Sequence, residues 1–250
     1  MEIDLVTINT WKCEGDYYKR RQLLAADLQK MGFTDQVIFC QECFRTIDGK
    51  VDTIRYLSEA LKIPAHFVPA RRKYRIFNGA PTDSFSGLGI LTNLRAGGGM
   101  AVELPSSTAD GGRSAQFLTL ELPTGGLMLI ANVHLTHLRN NEELRIHQVD
   151  SVLQEISRST ACFRIVGGDF NAEENSTEIQ LFKERGPVIG SASHWVDHLM
   201  IIRPDVSPYP KFACSETVLD RPDEESGLRP SDHFGVHARL VVPDQVSPVF

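Results

Sequence analysis

Apolar residues recur along this chain in two rhythms, one with the period of a strand and one with that of a helix. Asp4-Leu5-Val6-Thr7-Ile8-Asn9 is rich in β-formers and predicts a strand. Leu23, Leu24, Leu28 and Met31 then follow helical spacing, so a helix is expected from Tyr17 to Met31, stopped by Gly32. Val37 to Gln41 reads as a second strand ending at Glu42, and Val51 to Lys62 as an amphipathic helix through Ile54, Leu57 and Leu61 that Pro64 ends. Beyond Pro64 the texture turns to β: Ala65 to Pro69, Arg75 to Phe77, Gly87 to Thr92, Met100 to Leu104, Gln116 to Leu122 and Leu127 to Leu135. The turn Pro123-Thr124-Gly125-Gly126 joins the last two. Asn141 to Ser157 predicts a third helix. A strand from Phe163, a short helix over Ser176 to Lys183, a strand over Trp195 to Ile202 and a final strand from Phe234 through Val241 complete the pattern. Many strands with few helices imply a mixed α/β architecture of at least two sheets. Neither an internal repeat nor a low-complexity linker interrupts the chain, so one domain over residues 1–250 is expected.

Composition narrows the class. A chain of 250 residues, 42% hydrophobic and 23% charged, is that of a soluble globular protein, and no apolar run has the length to cross a bilayer. Met1-Glu2-Ile3-Asp4 carries no basic leader, which favours the cytoplasm. Five scattered cysteines fit reduced thiols better than a disulfide framework. Cys40-Gln41-Glu42-Cys43 has C-x-x-C spacing but lacks the second pair that a zinc site needs. A formal charge of −6 argues against bulk affinity for nucleic acid and leaves a local basic groove open. Arg71-Arg72-Lys73-Tyr74-Arg75 is the dense basic cluster; it reads either as a solvated loop or as a track for a polyanion, and Arg113 beside Gly111-Gly112 is a further basic candidate.

The polar residues at strand ends carry the chemistry. Asn9 closes the first strand, Glu42 the second, His134 falls in Asn132-Val133-His134, and Gly168-Asp169-Phe170-Asn171 ends the strand from Phe163. Ser231-Asp232-His233 precedes the last strand, and Asp197 lies in Trp195-Val196-Asp197-His198. Rigid scaffolds mount their reactive groups at such ends. Singly, each has an ordinary reading as a turn former, a solvated charge or a core histidine. Two histidine pairs invite a zinc reading, His134 with His137 and His194 with His198. In extended backbone the first pair points to opposite faces and the second is spread over about four strand rises, too far to chelate one ion.

Taken in order, Thr7-Ile8-Asn9, Gln41-Glu42, Asn132-Val133-His134, Gly168-Asp169-Phe170-Asn171, the Asp197 segment and Ser231-Asp232-His233 resemble the endonuclease/exonuclease/phosphatase (DNase I-like) superfamily over nearly the whole chain. The resemblance implies a four-layer sandwich of two mixed β-sheets flanked by helices. It implies a Mg2+-dependent phosphoester hydrolase, with Mn2+ as a substitute ion and Asn9, Glu42 and Asp232 as the metal-binding residues. Asp169 would orient or deprotonate the attacking water, Asn171 would contact phosphate or hold that carboxylate, and His134 would donate to the developing phosphorane. His233 would serve as base or phosphate-binding imidazole, oriented by Asp197. A phosphodiester is the implied substrate, with nucleic acid a candidate; a sphingomyelinase-like or phosphoinositide-phosphatase-like activity and a non-catalytic scaffold are the alternatives. Two departures matter. The superfamily's apurinic endonucleases usually have tyrosine where His134 stands, and the stretch from Asn171 to Asp197 is shorter than in many relatives, which implies a trimmed rim and an open cleft. No aromatic hairpin suited to a bilayer is evident from the sequence, an observation that disfavours a phospholipid.

Overall fold

A computed structural model describes residues 1–138, 141–245 and 247–248. Sheet A holds β1 (Glu2–Asn9), β2 (Gln36–Thr46), β3 (Ala65–Phe77), β4 (Ala80–Thr92), β12 (Lys211–Val218) and β13 (Gly235–Val241) in the order β12-β13-β1-β2-β4-β3. Sheet B holds β5 (Arg95–Leu104), β6 (Arg113–Glu121), β7 (Leu127–His134), β8 (Phe163–Asp169), β9 (Val188–His194) and β10 (Asp197–Ile202) in the order β5-β6-β7-β8-β10-β9. The short strands β11 (Val206–Ser207) and β14 (Ser247–Pro248) pair with each other. Each six-stranded sheet has one parallel pair at its centre, β1 with β2 and β7 with β8, and antiparallel neighbours outside it. A parallel pair needs a crossover, and helices α1 (Tyr17–Lys30) and α3 (Glu142–Ser157) supply it in the two sheets.

The layers follow from strand alternation. In β1, Ile3 and Leu5 face sheet B and join Phe39, Ile90, Leu118, Ile130, Phe163, Ile165, Leu199 and Leu240 in the core between the sheets. Val6 and Ile8, on the other face, pack with Ile38 and Leu91 against Leu24 and Leu28 of α1 and against Ile54 and Leu57 of α2 (Thr53–Leu61). Cys40 and Cys43 are buried in that same apolar layer, which accounts for the C-x-x-C spacing as packing. On the far side of sheet B, Val133, Val166 and Met200 pack against Val149, Val152 and Ile156 of α3 and against Ile179 and Phe182 of α4 (Thr177–Arg185). The result is a helix-sheet-sheet-helix sandwich. Among the described residues, no helix is long and apolar enough to cross a membrane.

The structure corrects several boundaries. The predicted segments 65–69, 75–77 and 87–92 are parts of one long hairpin, β3 and β4, whose register shifts between Pro69 and Arg71. The basic cluster therefore lies on a strand and not in a loop. That hairpin also leaves Tyr74 71% and Ile76 70% exposed, so an aromatic hairpin is present after all and the sequence argument against a lipid substrate lapses. Strands β9 and β12 are not predicted by the sequence pattern; β12 is mostly exposed and lacks the alternation that marks a half-buried strand. The Trp195–Ile202 segment is a turn at Trp195 and Val196 followed by β10.

Candidate active site

Side chains on the inter-sheet face change from apolar to polar toward one end of the sandwich. Ile3 and Leu5 give way to Thr7 and Asn9, Val37 and Phe39 to Gln41, Met128 and Ile130 to Asn132 and His134, and Ile165 to Gly167 and Asp169. A buried polar layer results, and its groups satisfy one another. Gln41 Nε2 donates to Thr7 Oγ1 at 3.1 Å and to Asn132 Oδ1 at 2.8 Å, bridging the sheets. Asn132 Nδ2 donates to the carbonyls of Cys40 and Gly89, both at 3.0 Å. An unpaired buried amide costs about 1–3 kcal/mol, so this layer fixes how the two sheets meet beneath the site. Continuing the strand alternation one step past the apolar positions would have identified Gln41 and Asn132 from the sequence.

Asp169 is the centre of the next layer. Asn9 Nδ2 donates to its Oδ2 at 2.9 Å and the Asn171 N–H donates to its Oδ1 at 2.8 Å, so both carboxylate oxygens are held. Asn171 is in the left-handed region (φ 49°), and its own Nδ2 donates to the Leu135 carbonyl at 3.0 Å, which ties the Asp169 turn to the end of β7. The preceding Gly168 has φ 149° and lies so close to β7 that a Cβ there would sit 2.0 Å from the Val133 carbonyl oxygen. Only glycine lets β8 run in this register.

In the ladder Asp169 stands opposite His134 on one side and Asp197 on the other. Two carboxylates facing each other repel, and His233 relieves the pair: its Nδ1 lies 2.8 Å from Asp197 Oδ2 and its Nε2 3.9 Å from Asp169 Oδ2. Burial opposes the charged form of this imidazole. The hydrogen bond and charge of Asp197, with the charges of Asp169 and Asp232, outweigh that and raise it to about 9. Burial pushes the Asp197 carboxyl up while His233 pulls it down, and its Oδ1 has no hydrogen-bond partner among the described residues. His134 Nε2 lies 3.5 Å from Asp169 Oδ2; burial, then the charges of Arg113 and Lys12, keep it well below the ordinary histidine range and therefore neutral.

Ser231 Oγ donates to the Asn9 carbonyl at 2.6 Å and accepts the His233 N–H at 3.2 Å, which fastens the C-terminal motif to the end of β1. Arg20 of α1, absent from the sequence reading, reinforces the same junction. Its buried guanidinium donates to the carbonyls of Thr10, Trp11, Lys12, Glu14 and Pro230 at 2.9 to 3.3 Å. A helix-face arginine usually looks solvated in sequence, so nothing there marks this role.

Glu42 comes from a bulge in β2, between Cys40 and Cys43, with φ 54°. Bulges re-aim a side chain, and this one directs Glu42 away from the helix-facing layer and into the cleft. Burial raises its carboxyl above the usual range, opposed by Lys12, whose Nζ lies 2.5 Å from Glu42 Oε1. Asp232 lines the same cleft and is exposed. A half-enclosed carboxylate whose partner is a cation, with Asp232 and the amide oxygen of Asn9 nearby, is a hard oxygen set that fits Mg2+ or Mn2+. Asn9 Oδ1 also accepts the Trp11 N–H at 3.0 Å and keeps one lone pair for an ion. Among the described residues, Asp169, Asp197 and His233 form a group whose potential ligand atoms lie within 4.8 Å of one another, but its imidazole is already bonded to Asp197.

A cleft of about 230 Å³ gathers Asn9, Glu42, His134, Asp169, Asn171, Asp232 and His233; Asp197 stands behind His233 and does not line it. Lys12, Arg71, Arg113 and His137 line the same cleft. Arg113, left unplaced by the sequence, is fixed: its Nε donates to buried Asp110 Oδ1 at 2.9 Å and its Nη2 lies 2.6 Å from His137 Nδ1. The zinc geometry also needs amending. The chain leaves the strand after His134, so His137 shares the cleft with it; and His194 and His198 sit on two strands of a hairpin, bonded respectively to Thr217 and to the Ala172 carbonyl.

No family model matches the sequence, and no curated protein does. Solved structures match well. An endonuclease/exonuclease/phosphatase from Beutenbergia cavernae superposes with a TM-score of 0.73 at 17% identity, covering 96% of this chain and 71% of that one. The mannosyl-6-phosphatase of Bacteroides thetaiotaomicron gives 0.71 at 19% identity, with 96% and 100% covered. D. rerio TDP2 complexed with a single-strand DNA product gives 0.71 at 14%, with 96% and 99% covered. Identities this low speak to architecture, and on architecture they agree: the chain has the DNase I-like fold of the endonuclease/exonuclease/phosphatase superfamily.

Proposed function

We propose that this protein is a divalent-metal-dependent phosphoester hydrolase that directs a water molecule at phosphorus, acting on a phosphodiester. The observation that carries this reading is the immobilised carboxylate of Asp169, fixed by Asn9 and the Asn171 N–H, flanked by His134 and the Asp197–His233 pair, and lining one cleft with Glu42. A scaffold protein has no use for a buried carboxylate held at both oxygens beside two imidazoles.

Phosphoester hydrolysis needs charge neutralised on the phosphate, a positioned water and support for the leaving oxygen. Glu42, with Asn9 and Asp232, would hold Mg2+, which would supply Lewis-acid neutralisation of the phosphate oxygens. Asp169, with Asn9 and Asn171 fixing its orientation, aligns the water and accepts its proton. His233 is oriented by Asp197 at Nδ1 and turns Nε2 toward the reacting group. His134, neutral and buried, offers a hydrogen bond to the phosphorane oxygens without adding charge. Arg113 and Arg71, which line the cleft, would hold the remaining anionic oxygens.

Two substrate classes fit. The first is a flexible polynucleotide strand, favoured by the alternation that puts Lys73 and Arg75 on the same side of β3 as Arg71 in the cleft. The second is a lipid phosphoester, favoured by exposed Tyr74 and Ile76 on the same hairpin. Free thiols at all five cysteines suit a cytoplasmic site of action. The test is turnover of bis-p-nitrophenyl phosphate with Mg2+ or Mn2+ and with EDTA, followed by single- and double-stranded DNA, RNA, sphingomyelin and phosphoinositides. Metal-dependent release of nitrophenol is expected. Absence of hydrolysis on every substrate in the panel with either ion would overturn the reading.

A further inference from the structure

Lys12 is placed on Glu42 by the backbone and not by chance proximity. Trp11 and Lys12 are consecutive non-glycine residues in the left-handed region, with φ 56° and 47°, and Glu42 opposite them has φ 54°. Such a residue is strained and persists only where its surroundings over-determine it. The surroundings here are explicit. Arg20 grips the carbonyls of Thr10, Trp11 and Lys12 at 3.1, 3.2 and 3.3 Å, and Asn9 Oδ1 accepts the Trp11 N–H. The β2 bulge brings Glu42 to meet this loop, and the Lys12 ammonium lies 2.5 Å from its Oε1.

Resting on the reading of Glu42 as a metal-binding residue, we infer that Lys12 is a tethered counter-ion that occupies the cation seat on Glu42 in the metal-free protein and is displaced when a divalent ion binds. An ammonium and a divalent ion cannot share one carboxylate oxygen region, because like charges in such close contact repel strongly in a partly desolvated cleft and here one of them is doubly charged. The lysine stem is flexible while its backbone is clamped, so the ammonium swings and the loop stays. It swings into the cleft it already lines, beside His134 and His137, where an anion is the natural partner. Lys12 thus neutralises Glu42 while the ion is away and contributes a free cation to the substrate wall once the ion is in place.

Calorimetric titration of Mg2+ and Mn2+ into the metal-stripped protein, with no substrate present, separates this from the catalytic reading. Lys12→Gln is expected to bind either ion at least threefold more tightly than wild type, Lys12→Arg to bind no more tightly than wild type, and Glu42→Gln to lose the binding. A residue with a merely structural role would weaken metal binding on substitution or leave it unchanged. Equal or weaker affinity in Lys12→Gln, with a melting transition showing the variant folded, would overturn the inference, as would undiminished binding by Glu42→Gln. Should Lys12→Gln fail to fold, Lys12→Met is read by the same criterion. Tighter metal binding in a protein that cleaves no phosphoester would uphold the counter-ion and sink the hydrolase.

Discussion

Asn9 shows how one side chain decides the state of another at the residue scale. Its amide donates to Asp169 Oδ2 while its oxygen accepts the Trp11 N–H, so Asn9→Ala frees one carboxylate oxygen and loosens the loop that carries Lys12. A fall in kcat of about 10²-fold or more with a small change in KM is the expected outcome, since orientation of a general base is worth about that much. His198 gives a different residue-scale prediction, in stability. It is buried against Phe170 with its Nε2–H donating to the Ala172 carbonyl, and burial, more than any other influence, lowers its pKa. Its unfolded form therefore binds a proton more readily than its folded form, and stability must fall as pH drops through about 6.5. His134, lowered in the same direction, adds to the slope. Urea denaturation at pH 7 and pH 5 should show His198→Gln losing less stability on acidification than wild type; an equal loss would remove His198 from the account.

Elements owe their placement to residues that do no chemistry. Asn9, His134 and Asp169 do end β1, β7 and β8, because a polar residue closing an apolar run is visible in any sequence; Glu42, expected to end the second strand, lies instead inside β2, which runs on past its bulge to Thr46. What the sequence leaves hidden is the fastening. The β2 bulge turns on one extra residue, β12 has no buried face to imprint a period, and Arg20 takes its partners from a loop and from Pro230, far along the chain. Arg20→Met removes the donors of five buried or half-buried carbonyls and should cost about 3 kcal/mol in denaturant unfolding, with activity reduced further than the residual fold predicts. Gly168→Ala pushes a methyl to 2.0 Å from the Val133 carbonyl, so β7 and β8 must part, and about 3 kcal/mol or more is expected to be lost. An Arg20→Met protein as stable and active as wild type would show that the junction of α1 with the C-terminal motif is incidental.

The whole molecule brings two halves to one edge. Each sheet places a parallel pair at its centre, the polar layer of Thr7, Gln41 and Asn132 locks the pairs face to face, and the ends of β1, β7 and β8 then meet the β2 bulge at a cleft that Asp232 and His233 also line. Alternating hydrophobicity revealed the layers, and the ordered polar positions converge on one cleft. The identity of the substrate was not legible, because it depends on the β3–β4 hairpin, whose basic and exposed apolar residues serve a polyanion and a lipid headgroup alike. The central claim, attack of an Asp169-aligned water on phosphorus, is tested most directly by hydrolysing bis-p-nitrophenyl phosphate in ¹⁸O-labelled water and locating the label by mass spectrometry. Wild type is predicted to place the label on the phosphoryl product, and Asp169→Asn to give at most about one hundredth of that product in the same time. Label in nitrophenol, or undiminished labelled phosphate from Asp169→Asn, would contradict the account.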